Sequence, residues 1–235
     1  MIKVKDLAIE LSIKLGDPRT DAGDGILFYS EDRLRYLSRG YGKLVRVLSM
    51  AMRKYKPGFV LPLIPFNLKG DPGNVGGGNL TKGPYTFDKP FITIEEVIVT
   101  TAGKSSKKEL TSKLVAANYN QAKFGLDETN KPSASNIFYT VMSNKLYILP
   151  DGDDLYKEID AMGVEDIGVF KIEDNVPIDR TYVDMLITFA AIEAMNDLPN
   201  SQKVQLYRGE LIDQVSVIAN YTNLMERNEG DIGNG

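Results

Sequence analysis

The chain has 235 residues, 43% of them hydrophobic and 26% charged, which is ordinary for a globular protein large enough to bury a core without disulfides or metals. Its net charge of -4 speaks against a dedicated nucleic-acid binder, which is usually basic overall. It has no cysteine and no histidine, which removes disulfides, the thiol nucleophile and the side chain best suited to proton transfer near neutral pH.

The opening MIKVKDLAIE is broken early by charge and lacks the apolar run of a signal peptide. No stretch reaches about 18 consecutive apolar residues, so no membrane partner is expected. Residues 3–15 space Val4, Leu7, Ala8, Leu11 and Leu15 as one face of a helix. Gly16 stands at the C-cap position and Pro18 follows as a stop. A loop over 19–29 leads to Ser30, Glu31 and Asp32, a good start for a helix reaching about Tyr55. Its apolar stripe is Leu34, Leu37, Tyr41, Leu44, Val45, Leu48 and Met52.

Residues 57–90 are rich in Pro and Gly and read as an extended arm, because six prolines forbid a long regular element there. Phe91–Thr101 is β-branched and predicts a strand. Lys104–Lys108 predicts a turn, and 109–123 predicts a helix with Leu110, Leu114 and Ala117 on one face. Residues 137–142 and 145–149 predict a hairpin about Ser143-Asn144. A helix from Arg180 to Met195, a break at Asn196–Pro199 and a helix from Asn200 to Asn223 predict an antiparallel pair. The second of these should bury Val204, Leu211, Ile212, Val215 and Ile218. The expected fold is mainly α with a small β section. Its parts are a helical core (1–56 and 176–223), the arm (57–90), an inserted mixed β/α section (91–175) and a flexible tail (224–235).

Candidate chemistry is sparse. From Gly78 the next glycine at P-loop spacing is Gly83, but Pro84 stands where lysine is required, and Thr81 breaks a GxGxxG reading from Gly76. The run Asp151-Gly152-Asp153-Asp154 fails as a calcium loop, since Tyr156 and Met162 occupy the positions that need Gly and Glu. Glu95 and Glu96 are strand neighbours that point to opposite faces, a poor acid–base pair. No catalytic, cofactor or metal site is therefore expected.

The helix that begins at Ser30 is the exception to the acidic balance. Between Glu31 and Lys56 it carries Arg33, Arg35, Arg39, Lys43, Arg46, Arg53, Lys54 and Lys56 against Glu31 and Asp32. Either it is a solvated face, or it contacts an acidic neighbour or passing DNA. A protein that binds DNA through residues 31–56 is the rival reading from a different class.

Three segments, in this order, carry a resemblance. The first is a helix ending in LGDP (Leu15 to Pro18), a short loop and YSEDRLRYLSRGYGKLVRVL (Tyr29 to Leu48). The second is NKLYILPDG (Asn144 to Gly152), and the third runs from Val176 to Leu211. Together the chain resembles the head-to-tail connector, or adaptor, proteins of tailed bacteriophages. The resemblance implies a non-enzymatic virion subunit, held in host cytoplasm before assembly, in a closed ring of about twelve copies. Its implied partners are copies of itself, the portal protein, a downstream tail or ring protein, and genomic DNA passing through the channel without sequence-specific binding. On that reading the contact residues are Arg33, Arg35, Arg39, Lys43 and Arg46 on the basic helix. Asp71, Asn74, Asn79 and Lys82 join them from the arm, and Asn223, Met225, Arg227 and Ile232 from the last helix and tail.

Overall fold

Helical spacing in the first residues does produce a helix, α1 (Val4–Leu15), with Val4, Leu7, Ala8, Leu11 and Leu15 all buried. Gly16 closes it at φ 74°, and its N–H bonds Ile13 O at 3.0 Å while Asp17 N–H bonds Ser12 O at 2.9 Å. A left-handed cap of this kind favours glycine, which has no Cβ to clash. The computed structural model describes residues 2–17, 28–51, 61–69, 84–101, 107–109, 112–113, 137–149, 156–198 and 201–232.

The described residues fall into two compact units, Met1–Pro62 with Ile167–Gly235, and Leu63–Asp166. The first unit is helical. It holds α1, α2 (Ser30–Ala51), α3 (Val183–Asn196) and α4 (Ser201–Ile232), with a small ladder in which β1 (Ile2–Lys3) pairs antiparallel with Asn175–Val176. In α2 the buried residues Tyr36, Leu37, Tyr41, Leu44, Val45 and Leu48 form the inward stripe. Asp179 leads into α3, its carboxylate accepting Thr181 N–H at 2.9 Å across a 3-10 turn at Arg180–Tyr182. From Met185 to Ile192 every residue of α3 is buried, so α3 is the central helix, covered by α1, α2 and α4. Gly40 of α2 permits the closest approach: a Cβ there would lie 2.8 Å from Ala190 N. The α4 helix returns after a short break, and its Glu210 and Gln214 reach Thr188 of α3.

The second unit is all β where it is described. One sheet has the order β2 (Ile64–Phe66), β10 (Tyr156–Glu165), β5 (Phe91–Thr101), β6 (Lys107–Glu109), all antiparallel. The other has the order β3 (Leu68–Lys69), β4 (Tyr85–Phe87), β9 (Lys145–Leu149), β8 (Phe138–Met142), β7 (Ser112–Lys113), antiparallel except for the parallel β7–β8 pair. Their inner faces share one core of Phe66, Tyr85, Phe87, Ile94, Val97, Val99, Ile137, Tyr139, Leu146, Ile148, Ile159 and Ala161. The chain passes from one sheet to the other at Asn67, where Asn67 N–H and Nδ2 donate to the two carboxylate oxygens of Asp88 and Asp88 N–H returns a bond to Asn67 O. The hairpin turn places Ser143 and Asn144 at φ 49° and 61°, the two positive values that a right-twisted two-residue turn requires.

Several expectations change. Half of the described residues are helical and 29% are in strands, so the fold is α+β with a substantial β unit, not mainly α with a small β section. Prolines account for part of the difference. Pro65 lies in β2, an edge strand where a missing N–H is tolerated, and Pro84 and Pro90 only precede β4 and β5. Thus the described residues of the Pro/Gly segment form β2, β3 and β4. The helix predicted over 109–123 is replaced at its described positions by β6 and β7, and the turn predicted at Lys104–Lys108 yields Lys107 and Lys108 to β6. The backbone of α4 continues through Ile232, past the expected stop at Asn223. Among the described side chains of α4 the buried ones are Val204 and Tyr207, Leu211 and Val215 are half-buried, Ile212 is 65% exposed, and Ile218 lies outside the described side chains. The glycine-rich and acidic runs at 70–83 and 151–154 lie outside the described residues.

Candidate interaction surfaces

The basic helix α2 divides its cations between three environments. Arg33 is only 1% exposed, so it belongs to the interior and not to the partner-binding surface expected of it. Its Nη1 donates to Ser12 Oγ, which donates in turn to Ala8 O at 3.0 Å. Nε and Nη2 have no hydrogen-bond partner among the described residues. The physical reason is spacing: residue 33 precedes Leu37 and Leu44 by four and eleven positions, which places it on the inward stripe.

Arg35 and Lys43 are exposed but engaged within the unit. Arg35 pairs with Asp32 at 2.9 Å and approaches Asp197 at 3.9 Å, with its guanidinium 5.4 Å from the Tyr36 ring centre. Tyr36 O–H donates to Asp197 at 2.8 Å, and burial followed by this carboxylate raises the Tyr36 hydroxyl above its usual range. Lys43 pairs with Glu193 of α3. Both contacts tie α2 to α3 and its C-terminal end.

Arg39 and Arg46 are exposed, with no ion pair to any described residue. They lie seven residues apart, and Met50, 57% exposed, follows four residues later on the same stripe. Among the described residues of the cluster, this leaves an outward face of two guanidinia with no ion pair to a described residue and one apolar side chain. Arg53, Lys54 and Lys56 lie outside the described residues, as do Asp71, Asn74, Asn79 and Lys82. Asn223, Met225, Arg227 and Ile232 are all carried on the backbone of α4.

A second surface had no warning in the sequence. An open groove of about 280 Å3 lies between Glu10, Ile13 and Lys14 of α1, Asp184 and Ile187 of α3, and Glu210 and Gln214 of α4. Lys14 is its only cation, and it is already engaged. Its Nζ donates to Thr188 Oγ1 at 3.0 Å, pairs with Glu210 and lies 5.5 Å from the Tyr207 ring centre, while Tyr207 O–H donates to Lys14 O at 2.7 Å. Glu10 and Asp184 have no ion pair to a described residue. Partial burial first, then the charges of Asp184 and Asp6, raise the Glu10 carboxyl above its ordinary value. The groove is acidic, and Ile13 at its edge is 61% exposed.

Among the described residues no group of three or more Asp and Glu side chains is placed to hold a metal ion. The Tyr41 and Tyr139 hydroxyls are pushed up to about 12 by burial, far from proton transfer at neutral pH. No described helix is long and apolar enough to cross a membrane. Neither protein-family models nor curated protein sequences give a match to this chain.

Proposed function

We propose that this chain is a structural subunit of a tailed-bacteriophage head-to-tail connector ring, placed in the virion between portal and tail. The observation that carries the reading is the ordered set of family-like segments: Tyr29 to Leu48, Asn144 to Gly152, and Val176 to Leu211. Supporting it, the first segment supplies α2 and the third supplies α3 with the start of α4, so both fall in one helical unit. A ring subunit needs two different patches, because a head-to-tail contact joins unlike surfaces. A basic stripe and an acidic groove on one unit fit that need.

The DNA-binding alternative is weakened by the same geometry. Burial of Arg33 and the engagement of Arg35 and Lys43 leave Arg39 and Arg46 as the unpaired cations of the described helix. About two phosphate contacts from these alone would give weak binding that fades quickly with salt, so the alternative rests on Arg53, Lys54 and Lys56, which lie outside the described residues. The test is electron microscopy and native mass spectrometry of the chain, alone and with the portal protein of the same genome. Closed rings of a single mass that dock coaxially on the portal are expected. A chain that stays monomeric in both settings refutes the proposal, and a salt-sensitive shift of duplex DNA by the free subunit, followed from low to moderate salt, would favour the rival.

A further inference from the structure

We infer that the Arg39–Arg46–Met50 face of α2 is a docking face for a second copy of this chain, which presents Asp6, Glu10 and Ile13 of α1, with Asp184 beside them. The inference rests on the ring reading and deepens it by naming the two faces that meet.

Charge comes first. Arg39 and Arg46 are exposed with no ion pair to a described residue, and so are Asp6, Glu10 and Asp184. Lys14, the cation nearest those carboxylates in the groove, is held by Glu210. Each face is thus a set of like charges lacking counter-charges among the described residues of its own unit. Their meeting satisfies both, whereas the reverse orientations, basic on basic or acidic on acidic, repel. Partial burial first, and then the charges of Asp184 and Asp6, already make the charged state of Glu10 less favourable in the isolated chain.

Geometry comes second. With Lys43 between Arg39 and Arg46 already held by Glu193, the remaining residues of both faces run charge, charge, apolar from N- to C-terminus: Arg39, Arg46, Met50 on α2 and Asp6, Glu10, Ile13 on α1. Helical rise separates Arg46 from Met50 by about 6 Å and Glu10 from Ile13 by about 4.5 Å. A parallel alignment therefore places Arg46 against Glu10 and Met50 against Ile13 together. Arg39 lies about 10 Å before Arg46 and Asp6 about 6 Å before Glu10, a mismatch within the reach of an arginine side chain. Met50 and Ile13 are among the large apolar side chains exposed on the described residues of the unit, so each face carries an apolar side chain beside its charges. Because the faces sit on different helices, the contact is heterologous and can repeat from copy to copy.

Charge-swap complementation tests this. Arg39→Glu with Arg46→Glu, and Asp6→Lys with Glu10→Lys, should each lower self-association of the chain, alone or on portal, by at least about tenfold. An equimolar mixture of the two variants should restore it, since each supplies the partner face the other lacks. Native mass spectrometry reads the assembly, and circular dichroism checks folding. If a reversal fails to fold, Arg39→Gln with Arg46→Gln replaces it and should give the same direction of change. Wild-type assembly that neither variant weakens, or that the mixture does not restore, overturns this interface and leaves the ring reading standing. A wild-type chain that never self-associates overturns both.

Discussion

The crossing of α2 and α3 depends on one missing methyl group. A Cβ at Gly40 would lie 2.8 Å from Ala190 N, 3.1 Å from its Cα and 3.2 Å from its Cβ. Comfortable contacts between such atoms begin near about 3.5 Å. Gly40→Ala must therefore part the two helices by roughly half an ångström. The atoms it meets are mostly backbone, and α3 is covered on all sides, so no flexible side-chain end absorbs the strain. Overpacking costs about 1–3 kcal/mol, and a clash with backbone belongs in the upper part of that range, about 2–3 kcal/mol, against a helix-propensity gain of about 1 kcal/mol for replacing glycine by alanine. The net expectation is a loss of about 1–2 kcal/mol. Gly42, two residues further along the same helix, would place its Cβ with nothing within 4 Å, so Gly42→Ala should keep most of the gain. The spread between the variants is then about 2–3 kcal/mol, a difference of about 1–2 M in the urea midpoint of the helical signal. Urea titration followed by far-ultraviolet circular dichroism measures it. A Gly40→Ala midpoint at or above that of the wild type refutes the close crossing.

Three further expectations concern other sites. Arg33→Met should be neutral or should stabilise by up to about 4 kcal/mol, because Nε and Nη2 have no partner among the described residues; Ser12→Ala, which strands Nη1, should cost about 1–3 kcal/mol. Thermal melts that show the opposite order contradict a poorly satisfied buried guanidinium. Gly163→Ala would drive a Cβ to 2.3 Å from Thr93 O, beside a break in the β10–β5 register, and should cost more than about 3 kcal/mol, seen as loss of the β unit's amide protection in hydrogen exchange. Normal protection in that variant would exclude the close backbone approach. Glu10 has a raised pKa in the folded chain, so ionising it costs stability: the folded state is relatively favoured below the ordinary glutamate value and loses that advantage as pH rises through the raised value. Glu10→Gln should therefore raise the melting temperature at neutral pH and leave it unchanged below about pH 4, and an equal shift at both would place the effect in packing.

The helices were legible where local chemistry and packing agree. In α1 the apolar spacing, Gly16 and Pro18 mark the same end, and the structure puts a left-handed cap at Gly16. The β8–β9 hairpin was equally readable, since Ser143-Asn144 sits between two apolar runs and both residues take positive φ. The β10 strand was not. Its sequence, YKEIDAMGVE, interleaves lysine, three acids and a glycine with five apolar residues, yet it lies between β2 and β5. Its alternation is interrupted where the register shifts at Met162/Gly163, so a two-residue period drawn through it fails. Strands of two or three residues, such as β2, β3, β4 and β7, carry no detectable period at all. Their existence depends on partners distant in the chain, which no local window contains.

The basic helix shows the same limit in electrostatic form. Counting charges along a segment treats every cation as available, but a folded unit removes some of them. Arg33 could have been separated by its sequence position, four residues before Leu37 on the apolar stripe. Arg35 has a local partner in Asp32, three residues before it, but Lys43 could not be separated, because its partner Glu193 enters from α3, more than a hundred residues later. The acidic groove was invisible for the same reason: Asp6 and Glu10 belong to α1, and Asp184 joins them only when α3 packs there. What survives at the surface is a difference between charges placed and charges matched. For α2 the difference is Arg39 and Arg46, and for the α1–α3 face it is Asp6, Glu10 and Asp184. Opposite residues of this kind on two faces of one unit leave electrostatic complementarity that a single copy does not use, and a second copy can use it.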